Sequence, residues 1–453
     1  MLLLHYTGLS PLRVLRIFDQ ISEICSDRID LPLESKVGAA TPLVNWRFVL
    51  KPSDSNMRVL QFAPRVCWPL DTGAKLRNYH LARVLAQRAR VSLLAFCDDE
   101  KSSDHLEDIY ERVSTVERNS AYTFPKIVRG VLGPTPLPVL NYTTDSMKRA
   151  LANLLRENEF DVIQVESIHL MSYLGIIRAA RSHTRVVCDW HNIESELMRR
   201  YSEREPSRLR KTYASRTARL MSAFEKRALR EFDAHVVVSD RDAERLRDLD
   251  PDARIFVIEN GVDTDFFSNL GAGDKSLARR LVFVGSMDYH ANIDGGINFA
   301  REIWPRLRKR RPDLVFTIVG KDPAPEVREL AQLPGIEVTG TVDDVRPFYR
   351  EAIAAVVPLN VGGGSRLKIL EAMAAGVPVV STTLGAEGLE VQHDENILIA
   401  DTNEQLVEAI NNVVENEALR NRLTAAAHEL VGNRYDWSSP GASLFGVYEK
   451  LVA

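Results

Sequence analysis

The sequence predicts an α/β protein of two Rossmann-like, doubly wound domains facing a central cleft. Three observations carry this. From Met57 onward, short apolar runs alternate with longer amphipathic stretches, the pattern of βαβ units on a parallel sheet. The chain has 453 residues and more apolar runs than one sheet comfortably holds. Near its middle a polar, glycine-containing stretch, NLGAGDKSLARR, interrupts the alternation.

Residues 1–56 show no sustained periodicity and carry Pro11, Pro32, Pro42 and Pro52, so they read as an N-terminal appendage. The first domain is expected over 57–263. It opens with the strand-like MRVLQFAP and continues through Val91–Phe96, Val162–Val165, Val186–Cys188, His235–Ser239 and Ile255–Ile258, with helical patterns at Lys75–Arg88 and Met147–Glu157. A linker follows at 264–280. The second domain, 281–437, takes in the runs Leu281–Val284, Leu314–Val319, Ile336–Thr339, Ala354–Pro358 and Val377–Ser381, and 438–453 form a terminal helix.

Composition narrows the class. Hydrophobic content of 45% and charged content of 26% are those of a globular protein, and a net charge of -4 gives no general attraction to nucleic acid. Cys25, Cys67, Cys97 and Cys188 have no paired spacing, which argues against a disulfide framework or a zinc site and for a reducing compartment. No apolar run reaches the roughly 20 residues of a spanning helix. The N-terminal MLLLHYTGLSPLRVLRIF resembles a signal sequence, but its apolar block is short and Arg13 and Arg16 follow it, the reverse of the usual order. The expectation is a cytoplasmic protein, with peripheral contact at the inner membrane face left as an open alternative.

The most informative stretch is GGGSRLKILEAMAAGVPVVST, 362–382. Ser365 is placed to cap a helix running to about Ala375, Gly376 to end it in left-handed geometry, and Pro378 to prevent its continuation. Gly362, Gly363 and Gly364 would leave backbone N–H groups exposed at the positive end of that helix, a setting for phosphate. Arg366 and Lys368 fall in the first turn, where the helix dipole disfavours cations; a bound diphosphate accounts for them. Glu371, among Leu367, Leu370 and Met373, is suited to ribose hydroxyls. The bland alternative is a glycine turn before a packing helix with surface charges. The joint occurrence of cap, glycines, cations, carboxylate and Gly-x-Pro-Val-Val exit favours the ligand site.

This stretch resembles the donor-binding signature of glycosyltransferase family 4, the retaining transferases of GT-B fold, in a branch with a glycine-rich SRLK-type loop. Other segments agree in order: VVVSDRDAERL and FVIENGVDTDFF near the domain junction, LVFVGSMDYHANIDG with Gly285, FTIVGKDP with Gly320, and LGAEGLEV with Glu387 and Gly388 in the loop approaching sugar and diphosphate. The resemblance covers about 57–453. It implies a nucleoside diphosphate sugar donor, no metal or other cofactor, transfer with retention, and a last helix that crosses back onto the first domain. Two departures stand out. The first of the family's two donor-helix glutamates would fall on Gly363, and its Arg/Lys pair after the first donor strand is replaced by Ser286, Met287, Asp288 and Tyr289. Arg366 and Lys368 are therefore expected to carry the phosphate charge.

In the first domain, WPLDTGAKLRNYHLARVLAQR places Asp71, Thr72 and Gly73 at a strand-to-helix loop, which the resemblance sets beneath the donor phosphates and beside the acceptor. Glu166 and His169 follow one strand, and His191, Asn192 and Glu194 another, at the carboxyl ends where open sheets bind ligands. Glu166 occupies the register of a His common in the family, with His169 close by, so this pair joins Arg366 and Lys368 as catalytic candidates; a structural role for either is the competing view. The basic stretch Arg208–Glu231 is a helix with either a solvated face or a lipid-binding one. The acceptor is expected to be a glycan or a lipid-linked molecule of polysaccharide or glycoconjugate assembly. The rival functions are another GT-B enzyme, such as a nucleotide-sugar epimerase or a phosphorylase, and a non-catalytic nucleotide-sugar-binding partner.

Overall fold

The computed structural model describes residues 43–47, 56–97, 106–118, 124–180, 183–205, 207–268, 279–361 and 366–453. Of the sequence-based site, Gly362, Gly363, Gly364 and Ser365 lie outside these residues, as does most of the appendage.

The first sheet has eight strands: β1 (Leu43–Arg47), β2 (Arg58–Ala63), β3 (Arg90–Cys97), β4 (Arg112–Glu117), β5 (Val162–Glu166), β6 (Arg185–Trp190), β7 (Ala234–Val237) and β8 (Ile255–Val257). Their spatial order is β1-β4-β3-β2-β5-β6-β7-β8. All pairs are parallel except β1 with β4, so a strand from within the first 56 residues closes one edge antiparallel. The second sheet has β9 (Arg280–Val284), β10 (Val315–Val319), β11 (Ile336–Val338), β12 (Ala352–Val357), β13 (Val379–Ser381) and β14 (Leu398–Ile399), all parallel, in the order β11-β10-β9-β12-β13-β14. Each order reverses direction once, between β2 and β5 and between β9 and β12. These are the switch points beyond whose carboxyl ends open α/β sheets hold ligands.

Sequence explains the burial. Strands covered on both faces need continuous apolar runs, and Ala352–Val357 (AIAAVV) is buried at every position. The helices that position the site are α1 (Gly73–Leu85), α2 (Phe124–Leu132), α3 (Glu194–Arg204), α4 (Arg208–Glu231), α5 (Asp240–Leu249), α6 (His290–Asn298), α7 (Leu367–Ala374) and α8 (Ser438–Val452). Thr72 caps α1 by accepting from the Lys75 amide, and Ser239 caps α5 by accepting from the Asp242 amide. Helix α7 begins one residue later than a Ser365 cap would require: Arg366 stands at its N-cap with no side-chain capping bond. Its end matches the expectation, with Gly376 at φ +63.

The chain passes between domains twice, and the two crossings run together. The Val262 amide donates to Tyr435 O at 2.7 Å, the Trp437 amide to Val262 O at 3.3 Å, and Thr264 Oγ1 to Asp436 Oδ2 at 2.6 Å. Beyond them α8 returns to the first domain. Its Leu444, Phe445, Tyr448 and Leu451 join the core beneath β2 and β3. Arg185 donates to Leu451 O at 2.8 Å, and Trp437 stacks on His80 with ring centroids 5.2 Å apart.

Candidate active site

The wall of the cleft belonging to the second domain is built at the β9/β12 switch point. Lys368 Nζ donates to Asn292 Oδ1 at 2.5 Å and sits 4.8 Å from the Phe283 ring centroid. Burial, then the neighbouring Arg366 charge, pulls its ammonium down to about 7. Gly285 makes room for it: a Cβ there would lie 3.0 Å from Lys368 Nζ and 2.8 Å from Asn292 Nδ2. Gly320 is tighter still, its Cβ position falling 1.6 Å from Gly285 O, so the loops after β9 and β10 touch backbone to backbone. Glu371 accepts from Tyr349 Oη at 3.3 Å, and burial raises its carboxyl.

Arg366 is 7% exposed. Its Nε donates to Glu387 O at 3.3 Å, and its terminal nitrogen lies 3.5 Å from Glu387 Oε2. Arg241 of α5, across the cleft, pairs with the same carboxylate. Burial pulls Arg366 down to about 10, and Arg200 and Arg241 add to the shift by repulsion. Gly388, at φ +83, brings the loop so close to the first domain that its Cβ would sit 3.6 Å from Ser239 Cβ. Between these walls lies an open pocket, lined by Asn192, Glu196, Arg200, Ser239, Arg241, Arg245 and Asn260 on one side and Arg366, Glu387, Gly388 and Tyr435 on the other.

At the opposite mouth, Asp71 pairs with Lys75 at 2.9 Å and, across the cleft, with Lys321 at 3.1 Å. The two lysines outweigh burial and lower its carboxyl. Thr72 and Gly73 start α1 beside it.

Glu166 and His169 lie deeper than the cleft wall, 0% and 1% exposed. Glu166 accepts from Gln61 Nε2 and Gln164 Nε2, each at 2.7 Å, and meets His191 Nε2 at 3.0 Å. His169 Nδ1 faces Ser167 Oγ at 2.7 Å, and burial pulls the ring down to about 4, so it is neutral at pH 7. Asn192 reaches the cavity. Glu194 opens α3, its carboxyl pushed up to about 8 by burial and by Glu225.

Sequence reasoning missed the group that organises this floor. Arg77 of α1 forks onto Asp189 (Nε–Oδ2 3.0 Å, Nη2–Oδ1 3.2 Å) and also donates to Glu259 O at 3.2 Å and Asn260 Oδ1 at 3.1 Å. A charged residue inside the strand VVCDW was the available signal. Glu166, Asp189 and His191 present ligand atoms within 4.8 Å of one another, the spacing of a metal site. The Arg77 fork and two amide donors occupy the carboxylate lone pairs an ion would use, so the cluster suits a buried hydrogen-bond network better. Asn292 and Arg241 were missed as well, because their partners are distant in sequence.

Comparison with known proteins bears on the family and the fold. Residues 72–266 match the family model described as Glycosyltransferase Family 4, and 278–416 the one described as Glycosyl transferases group 1. The chain is 31% identical over 204 residues to a phosphatidyl-myo-inositol mannosyltransferase of Mycobacterium leprae, covering 43% of this chain and 53% of that protein. It is 26% identical over 205 residues to a glycogen synthase of Mycobacterium tuberculosis, covering 43% and 48%. Thus the chain spans about half the length of the curated relatives it matches. Among solved structures, sucrose-phosphate synthase from Thermosynechococcus elongatus superposes with a TM-score of 0.65 at 16% identity over 87% of this chain and 99% of that one. Anabaena Alr3699/HepE, in complex with UDP and glucose, gives 0.60 at 16% over 87% and 100%. These likenesses show the fold: two doubly wound domains in the GT-B arrangement.

Proposed function

We propose, from the premise that the chain belongs to glycosyltransferase family 4, that it moves a sugar from a nucleoside diphosphate sugar to an acceptor hydroxyl with retention of anomeric configuration. The observation that carries this is the pair Arg366 and Lys368, a buried guanidinium lining the cleft and a part-buried ammonium two residues on, at the start of α7 over the β9/β12 switch point. Buried cations without a full complement of carboxylates are costly unless an anion joins them. A departing diphosphate is such an anion, and fixed donors around it lower the barrier as charge collects on the leaving oxygen.

In this reading Arg366 exchanges Glu387 for the diphosphate, Lys368 meets the same group as a point charge, and Glu371 takes the ribose. The backbone amides of Gly362–Gly364 add donors. Gly285 and Gly320 supply the close approach for the nucleotide, and Asp71–Gly73 form the floor beside the acceptor. The pyrophosphate charge is met by side chains and amides, so the proposed chemistry proceeds without a metal. Glu166 acts through His191, orienting the ring beside Asn192, while His169 supports the strand end. The relatives suggest the substrates: UDP and glucose in the Anabaena structure, and a lipid acceptor in the name of the mannosyltransferase. Among the described residues no helix is long and apolar enough to cross a membrane. The proposed setting is the cytoplasmic face, in glycan or glycoconjugate assembly.

A thermal-shift screen against UDP-, GDP-, ADP-, CMP- and dTDP-sugars tests the donor site, with Arg366→Ala and Glu371→Ala alongside. Stabilisation by one nucleotide class, lost in both variants, is expected. A folded protein that shifts with none of them removes the transferase reading, and tight donor binding without even slow donor hydrolysis supports a non-catalytic binding partner.

A further inference from the structure

The second feature that sets this chain apart lies on the outer face of the first domain. From Arg208 to Met221, α4 carries Arg208, Arg210, Lys211, Arg216 and Arg219 and no acidic residue, in a chain whose net charge is -4. Its buried side here is Ala214, Thr217, Ala218 and Met221. Arg208, Lys211, Arg216 and Arg219 therefore fall on the remaining, outward arc, while Arg210, one turn before Ala214, stands on the packed side.

How these cations are used separates this half-helix from its neighbours. On α3, Arg199 and Arg200 pair with Glu196, and further along α4, Arg227 pairs with Glu231 and Arg230 with Asp250. Arg129, Arg208, Lys211 and Arg219 have no carboxylate partner among the described residues. A merely solvated face is usually laced with such pairs.

Apolar groups stand among the unpaired cations. Arg216 donates to Gly130 O at 3.3 Å and Gly133 O at 2.6 Å, fixing the end of α2 against α4. At this joint Leu132 is 77% exposed, Leu209 81% and Val128 38%. Leu209 lies two turns before Arg216, on the same side of α4. Half of the six large apolar side chains exposed among the described residues are gathered here. Projecting leucines ringed by unpaired cations are what a surface needs to enter the headgroup layer of an anionic bilayer: the leucines gain by leaving water, and the cations by meeting lipid phosphates. The observations favour a bilayer over an acidic protein, because Leu132 and Leu209 project almost fully into solvent beside the cations.

We propose that α2 and the first half of α4 form a docking surface for an anionic lipid bilayer. Helix α3, which packs on α4 and contributes Glu196 and Arg200 to the cavity, then holds the acceptor side of the cleft close to the lipid. The proposal rests on surface geometry, and its test reads binding and not turnover, so it stands or falls separately from the donor site.

The experiment is co-sedimentation of the full chain with vesicles of phosphatidylcholine alone and of phosphatidylcholine with phosphatidylglycerol. Binding to the mixed vesicles at least tenfold tighter than to neutral ones is expected at low salt, each Lys or Arg contributing on the order of one kcal/mol near such a surface. Leu132→Ser with Leu209→Ser, at positions too exposed to unfold the chain, should weaken it about tenfold, since each loses an apolar side chain to bury. Lys211→Glu with Arg219→Glu should abolish it. Equal partition to both vesicle types, or sedimentation with neither, overturns the proposal. So does concentration-dependent self-association that vanishes in the leucine variants, which makes the face a contact between copies.

Discussion

Lys368 meets Asn292 in the space that Gly285 leaves empty, its ammonium 2.5 Å from the amide oxygen. A cation from α7 thereby reaches the start of α6 just beyond β9, the region where the family's usual Arg/Lys pair is absent. Gly285→Ala would place a carbon 3.0 Å from that ammonium and displace it. The variant is expected to fold but to bind nucleoside diphosphates roughly ten- to a hundredfold more weakly, the loss of one hydrogen bond to a charged group. Isothermal titration against UDP or GDP reads this directly; unchanged affinity would remove Lys368 from the phosphate site.

The depressed Lys368 ammonium should make binding of the proposed donor sensitive to pH. With its value near 7, only part of the population is charged at neutrality. A diphosphate favours the charged form and raises that value, so binding takes up a proton. Affinity should fall as pH rises above about 7, by up to tenfold per unit, until the bound-state value is passed. Titrations at pH 8 in two buffers of different ionisation enthalpy should reveal the uptake, and Lys368→Met should abolish it.

The Arg77–Asp189 pair is 1% and 0% exposed. Arg77→Met would leave a buried carboxylate without its countercharge, at a cost of about 3–5 kcal/mol. Arg77→Met with Asp189→Leu should recover most of this, because the carboxylate that lost its countercharge is removed with it, while Glu166 keeps Gln61, Gln164 and His191 as partners. Urea unfolding of the two variants checks the difference. Equal destabilisation would mean that packing, not charge, dominates.

Glu225 of α4 accepts from the Ser195 amide at 2.9 Å in the first turn of α3, so one helix caps the next. Burial raises the carboxyl to about 7, and Glu194 beside it stands at about 8. Both folded values exceed the unfolded value of 4.5. The folded chain thus holds protons the unfolded chain has released. This contribution to stability is complete below about pH 4.5 and is lost as pH rises through 7 and 8. Glu225→Gln keeps an acceptor for the cap and should flatten the dependence of the urea midpoint in that window.

Gly441 lies inside α8, where alanine is intrinsically the better residue by roughly 0.5–1 kcal/mol. A Cβ there would sit 2.5 Å from Val84 of α1. Overpacking of this kind costs about 1–3 kcal/mol, so Gly441→Ala should lower the melting temperature despite its helix preference. A rise would mean that α8 lies on α1 more loosely than the structure shows.

How much of this was legible depended on sequence distance. Strands such as Leu281–Val284 and Ala354–Val357 announce themselves because burial on both faces demands unbroken apolar runs. β4 went unread because Ser114 and Thr115 interrupt its pattern, although both are buried. β1 sits in a proline-bearing segment and gains its place only by pairing with β4. The proposed donor half of the site lies within a few residues around one helix, so local spacing brought Arg366, Lys368 and Glu371 together in the sequence reading. The floor of the first domain draws Gln61, Arg77, Gln164 and Asp189 from three strands and a helix. No local pattern joins them, and their meeting depends on the strand order β2-β5-β6.

The paired crossings at Val262 and Tyr435–Trp437 have a mechanical meaning. Two bodies tied by one thread tumble; two bodies tied by two adjacent threads swing like a door and resist twisting. Gly261 tightens this joint, since a Cβ there would meet Tyr435 O and the Trp437 ring at 2.8 Å. Cutting the chain within 269–278 should therefore leave the halves joined and their facing surfaces in register, because α8 still fastens the second body to the first.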